Sequence, residues 1–104
     1  MSRGPDATTL LERALLASAV AHGLTPVIGE VATTRWASAT FTGMRHEIAL
    51  TLRADPAAEA WLAALPESEF RLRGHLLADL IVVAHERVAG IASVRLEALT
   101  VEDR

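Results

Sequence analysis

Hydrophobic and polar positions repeat one plan twice along the chain: an Ala- and Leu-rich helix is followed by two strand-like runs that meet at a glycine. In the first half, the pattern predicts a helix near Asp6–His22 and strands near Thr33–Phe41 and Met44–Arg53. Gly43 stands at the expected turn between those strands.

The second half follows the same order, with a helix near Pro56–Leu65, strands near Phe70–Arg87 and Ile91–Glu102, and a turn at Gly90. The whole chain, residues 1–104, therefore predicts a single α+β domain. We expect a two-layer sandwich of order α-β-β-α-β-β. One four-stranded, mainly antiparallel sheet should carry both helices on one face.

Capping residues mark the two helices. Asp6 precedes the first apolar positions and is the expected N-cap, while Gly23 provides a C-terminal stop. Asp55 is followed directly by Pro56, the combination that favours an N-cap and the first helical position. Pro66 should end this second helix.

The turn residues and the alternation of apolar positions predict a strand register for each hairpin. A two-residue loop at Thr42-Gly43 would pair Phe41 with Met44 and separate an apolar from a polar face. A three-residue loop, Val88-Ala89-Gly90, would pair Arg87 with Ile91 and place Val82 opposite Leu96. The third strand is apolar on both faces, so we expect it in the centre of the sheet.

The sheet face away from the helices is expected to be unusually apolar, because such a face is ordinarily polar. Its predicted interface residues are Trp36, Leu77, Ile81, Val83, Leu99 and Val101. The predicted polar rim consists of Arg45, Glu47, Arg71, Arg73, His75, Arg95 and Glu97. The patch should exceed the roughly 300–600 Å² that is usual for a monomer's largest apolar patch, and an apolar centre with an Arg-containing rim is typical of a protein interface.

Asp79 interrupts the apolar run of the third strand, and three interpretations are open. Its carboxylate could pair with an arginine of the outer face, across a dimer or within the chain. It could lie at an edge or a bulge. It could also bind a ligand or act in acid–base chemistry, and Arg71, Arg73, His75 and Asp79 are then the candidate ligand-binding residues.

Composition narrows the chemistry. The chain has no cysteine, which excludes disulfides and thiolate chemistry, and its four histidines lack metal-ligand spacing. No nucleophile elbow or phosphate-binding loop is present, so we expect no catalytic residues, no metal and no cofactor. His46 is expected on the core side as a satisfied polar group.

Charge and hydropathy limit the partners. The net charge of −3 disfavours nucleic-acid binding. Glu12 and Arg13 interrupt the longest apolar helix, and no leader pattern is visible, so we expect no membrane association and a cytoplasmic location.

Two function classes remain. The first is a non-enzymatic, self-associating or partner-binding domain that uses the outer sheet face, with a homodimer as the expected form. The alternative is a binding protein or small enzyme for an anionic small molecule, with its pocket on the same face.

Overall fold

The computed structural model describes residues 6–103 and has the predicted α+β architecture. Its elements are α1 (Ala7–Ala21), β1 (Val27–Ala37), β2 (Thr42–Arg53), α2 (Pro56–Ala64), a 3-10 turn (Leu65–Glu67), β3 (His75–Val88) and β4 (Ile91–Glu102). All strand pairs are antiparallel, and the sheet order is β1-β2-β4-β3. The predicted element order is confirmed.

Both helices begin at the predicted caps. The Asp6 carboxylate accepts a hydrogen bond from the Thr9 backbone N–H at 2.9 Å, and Asp55 accepts one from the Ala58 N–H at 2.8 Å. These bonds satisfy amide groups that have no partner inside the helix. The helices meet where the Trp61 indole N–H donates to Ser18 Oγ at 3.0 Å.

One hydrophobic core lies between the helices and the sheet. Side chains alternate regularly along β4 and along β2 from Arg45 onward, so every second side chain there is buried beneath the helices. Helix α1 contributes Leu11, Leu15 and Ala19 to this core, and α2 contributes Trp61 and Leu62. Both helices therefore cover the same sheet face.

The first hairpin turns earlier than predicted. Ala37 pairs with Thr42 and Arg35 with Met44, so the pairing of Phe41 with Met44 is wrong. Ser38 explains the change, because its Oγ accepts the Phe41 N–H at 3.0 Å and its own N–H donates to the Phe41 carbonyl at 2.7 Å. The slip covers an even number of residues, which keeps the predicted separation of faces.

The second hairpin closes more tightly than predicted. Val88 pairs with Ile91 across a two-residue Ala89-Gly90 loop in which both residues have positive φ, 52° and 78°. Positive φ at both central positions is the geometry of a tight hairpin turn that follows the strand twist. The predicted pairing of Val82 with Leu96 is nevertheless confirmed, because a bulge between Val82 and Ala84 absorbs the extra residue.

Strand β3 lies at an edge of the sheet, so the prediction of a central position is wrong. Bulges between Leu77 and Asp79 and between Val82 and Ala84 reverse the direction of its side chains twice. Leu77, predicted on the outer face, instead packs against the core, while Leu76 shares the outer face with Val101.

A polar hydrogen-bond chain runs through the core around His46, which is 0% exposed. His46 Nε2 lies 2.9 Å from Thr100 Oγ1, and His46 Nδ1 lies 3.3 Å from Thr8 Oγ1. Thr8 Oγ1 is in turn 3.0 Å from Thr33 Oγ1, and Thr100 donates weakly to the Met44 carbonyl at 3.5 Å. A neutral ring with its proton on Nε2 satisfies every member of this chain, as expected for a buried polar group.

Burial lowers the pKa of His46 from its ordinary value of 6.5. The Asp6 carboxylate acts in the opposite direction, and the nearby His75 ring adds to the lowering. Burial dominates because an imidazolium inside the core would lose its hydration.

We expect the free energy of unfolding to fall as the pH is lowered below about 6.5. Below about pH 6.5 the unfolded chain binds a proton at His46, while the folded chain does not. Above that pH, the contribution of His46 to the free energy of unfolding should therefore be fully present. Below it, His46 should contribute a slope of at most about 1.4 kcal/mol per pH unit until its folded pKa is reached. Urea unfolding at one protein concentration, between about pH 7.5 and about pH 5.5, measures this slope.

The control for this measurement is the exposed His22. His46→Gln should remove the part of the pH dependence of unfolding that His46 contributes, whereas His22→Gln should keep it. An unchanged slope in His46→Gln would contradict the assignment.

Candidate functional surface

The outer face is the sheet face opposite the helices, and strand pairing arranges its side chains in rows that cross β1, β2, β4 and β3. The register gives four well-defined rows along it. They are Trp36–Gly43–Val101–Leu76, Thr34–Arg45–Leu99–Asp79, Ala32–Glu47–Glu97–Ile81 and Val27–Thr51–Ser93–Glu86. Between the last two rows, Ala49 pairs with Arg95 and Arg95 with Ala84.

One end of the outer face carries large apolar side chains. We call this the bulky end and define it as Trp36, Leu76, Ile81, Leu99 and Val101. Leu76 is 55% exposed and Ile81 is 40% exposed. Side chains of this size contribute little to a monomer's core when they remain in water.

The Trp36 ring lies against Gly43, where the neighbouring strand has no side chain. A Cβ at Gly43 would come within 2.8 Å of the ring and would collide with the Thr100 carbonyl oxygen. The indole Nε1 is buried and has no hydrogen-bond partner among the residues that the structure describes. Gly43 therefore serves a close approach here rather than the predicted turn.

Four charged residues occupy the middle of the outer face. This charge quartet consists of Arg45, Glu47, Arg95 and Glu97. Arg45 lies 3.8 Å from Glu97, and Arg95 lies 4.0 Å from Glu47. Glu47 and Glu97 stand directly opposite each other in the register. Such exposed pairs contribute little to stability, about 0–1 kcal/mol each, but they fix the charge pattern of the surface.

Mostly small side chains line a trough toward the other end of the outer face, which we call the hollow end: Gly29, Ala49, Thr51, Ala84 and Ser93. The larger Val27, which is 65% exposed, lines the trough at the edge strand β1. The trough is open and has a volume of about 530 Å³. Arg95 and Glu86 border it. The predicted strands contained Ala49, Thr51, Ala84 and Ser93 but not Gly29, because β1 begins earlier than predicted. The sequence pattern did not join these residues into one concave surface.

The structure places four predicted interface residues on the outer face, namely Trp36, Ile81, Leu99 and Val101. Val83 is 44% exposed at the second bulge, and Leu77 belongs to the core side. The charge quartet was predicted at the rim. It lies instead on β2 and β4, the two central strands, because the sheet order places these strands side by side.

Three predicted ligand-binding residues lie together, and the fourth is separate. Arg71, Arg73 and His75 line an open depression of about 470 Å³, while Asp79 borders a different hollow beside Arg45. Arg71 and Arg73 precede β3, because the chain turns at Gly74, which has a φ of 82°. Their predicted place on a strand is therefore wrong.

His75 and Asp79 were predicted on one strand face, and the first bulge separates them. His75 lies on the same sheet face as Leu77, the face toward the core, whereas Asp79 pairs with Leu99 on the outer face. Within residues 6–103, Asp79 is exposed and has no ion-pair partner. Of the three interpretations of Asp79, the edge or bulge position is therefore the one that fits this chain by itself.

Regular alternation along β3 would place His85 on the same outer face as Asp79. It points instead toward α2, where its Nε2 lies 3.7 Å from Glu59 Oε1. Arg87 approaches the same carboxylate at 3.4 Å. The second bulge causes this reversal, which leaves Ala84 rather than His85 on the outer face.

Comparisons with protein-family models, curated proteins and solved structures gave no match to this chain. Within residues 6–103, no helix is long and apolar enough to cross a membrane. The same residues contain no group of three or more metal-ligating side chains.

We expect Gly43→Ala to destabilise the fold by about 1–3 kcal/mol, because the new methyl group must displace the Trp36 ring or the adjoining strand. Urea unfolding measures the loss, and Trp fluorescence should report the displaced ring.

Gly29→Ala is the matched control, since a Cβ there would make only ordinary contacts, 3.7 Å from the Ala49 carbonyl oxygen. Its effect should stay within about 0.5 kcal/mol. Equal effects of the two substitutions would contradict the role assigned to Gly43.

Proposed function

We propose that this chain is a non-enzymatic, self-associating domain that uses its outer face to bind a second copy. The observation that carries the proposal is the bulky end, whose Leu76 and Ile81 are exposed on a sheet that already has a complete core on its other face. Contiguous exposed apolar groups of this kind are typical of protein-binding surfaces.

The sheet edges favour association through the face rather than by strand addition. Strand β3 has two bulges, and β1 has one between Ile28 and Val31. Bulges interrupt the regular row of backbone donors and acceptors that an added strand would need.

The fully buried histidine supports a structural role. His46 forms a hydrogen-bond chain with Thr8 and Thr100, and it lines neither the trough nor the Arg71 depression. The proposal includes a cytoplasmic location, since a chain without cysteine needs no oxidising compartment.

Light scattering at micromolar concentration should report twice the chain mass. Ile81→Arg should reduce this to the monomer mass while circular dichroism stays native, because the substitution puts a charge into the proposed contact.

Val20→Arg is the control, as Val20 is apolar and 65% exposed on α1, in the other layer. It should leave the dimer intact. A monomeric wild-type protein, or a dimer that only Val20→Arg dissociates, would contradict the use of the outer face.

We propose anion binding as a second candidate function, supported by the depression that Arg71, Arg73 and His75 share. Phe70 and Leu76 also line it, so an anion with a short apolar chain suits it better than a bare anion.

Calorimetric titration with octanoate and with inorganic phosphate tests this candidate. We expect octanoate to bind more tightly than phosphate, and Arg71→Gln/Arg73→Gln to weaken its binding about tenfold or more. Arg53→Gln is the control, an exposed arginine on β2 outside the depression. No binding, or equal weakening by the control, would exclude the candidate.

A further inference from the structure

The two ends of the outer face differ in a way that selects one packing geometry. Resting on the proposed self-association, we propose that two copies stack their outer faces about a two-fold axis perpendicular to the strands. The axis passes between the Glu47–Glu97 row and the Ala49–Arg95 row. Glu97 of each copy then meets Arg95 of the other.

Shape is the first argument. A symmetric face-to-face dimer has its two-fold axis in the plane between the sheets. In the aligned packing of two sheets, this axis runs either along the strands or across them. An axis along the strands would put the bulky end on the bulky end and leave two hollow ends facing each other. The trough of about 530 Å³ would then remain unfilled in both copies. Interfaces, like protein interiors, favour close packing.

An axis across the strands puts the bulky end of one copy over the hollow end of the other. Rows on either side of the axis then exchange, and each strand lies over its own counterpart. Ile81 faces the partner's Ala84, and Leu99 faces the partner's Ser93. In these rows, large side chains thus meet small ones on both sides of the axis.

The ends of the face match as well. The row after Thr51 and Ser93 contains Arg53, Ile91 and Val88. Across the proposed axis, Val101 faces the partner's Ile91 and Leu76 faces the partner's Val88. Val88 and Ile91 are exposed apolar side chains at the second hairpin, so this contact would cover them.

Charge excludes one position of the axis along the strands. An axis through the Glu47–Glu97 row would place each glutamate opposite the same glutamate of the other copy, and these like charges would repel each other. A displacement by half the row spacing, about 3.3 Å, removes this conflict. The displacement toward the hollow end is the one that also places Ile81 and Leu99 over small side chains. It places Glu97 over the partner's Arg95 and Glu47 over the partner's Ala49.

Sheet twist disturbs the contacts near the two-fold axis least. Stacked sheets cross at about 30°, so the register holds best near the axis and degrades toward the corners. Glu97 and Arg95 lie in the rows next to the axis on a central strand. The like-charge approach of Asp79 to the partner's Glu86 falls on the edge strand, where solvent and salt screen it.

A charge-swap experiment tests this geometry. Glu97→Arg should bring two arginines together at both central contacts, and Arg95→Glu should bring two glutamates together. We expect each variant alone to dissociate about tenfold more readily or worse, with native circular dichroism. The intrachain pairs lost in the variants are exposed, so folding should be retained.

Mixing the two variants should restore association as a heterodimer, because both central contacts then join an arginine to a glutamate. The double variant Arg95→Glu/Glu97→Arg should restore the homodimer for the same reason. The matched control is Glu47→Arg in the same row, which faces the partner's Ala49 and should weaken the dimer less than Glu97→Arg does.

The outcomes separate the geometry from the proposed function. If Ile81→Arg dissociates the dimer but the mixed charge variants do not associate, the outer face is used and the axis is wrong. A monomeric wild-type protein would overturn both proposals. A monomer that retains a co-purified apolar molecule, found by mass spectrometry, would overturn them in favour of a ligand in the trough.

Discussion

The unbroken antiparallel pairing of β2 with β4 is the constraint on which the rest of the structure depends. It runs without a bulge from Gly43 opposite Val101 to Arg53 opposite Ile91. Strict alternation then buries residues such as Ile48 and Leu96 beneath the helices and directs the charge quartet outward. A slip by one residue would exchange the two faces, placing four charges in the core, so the hydrophobic effect and the cost of burying charge enforce the same register.

The edge strands follow a different rule from the central pair. Bulges in β1 and β3 let core-side residues such as Ile28, Val31 and Leu77 reach the helices although their spacing does not alternate. The same bulges interrupt the exposed backbone edges. One local irregularity therefore serves two purposes in β3: it packs Leu77 against the core, and it leaves Leu76 on the outer face.

Local signals in the sequence predicted the fold better than its surface. The caps at Asp6 and Asp55 and the alternation in β2 and β4 depend on neighbouring residues, and the structure agrees with them. Leu76 and Leu77 are both leucine, so an apolar pattern cannot tell which one a bulge turns outward. The central position of the charge quartet depends on strand order, which the connection through α2 left open.

Core and outer face have separable energetic roles. His46, Leu15 and Trp61 are buried within one chain, so a single copy has a complete core. The exposed side chains of the bulky end face water in a single copy, and the proposed self-association would remove them from solvent. Because the charge quartet lies at the centre of the outer face, a partner for this face must match charge as well as shape. Apolar area alone would allow many partners, whereas four fixed charges in a row pattern favour a partner with one register.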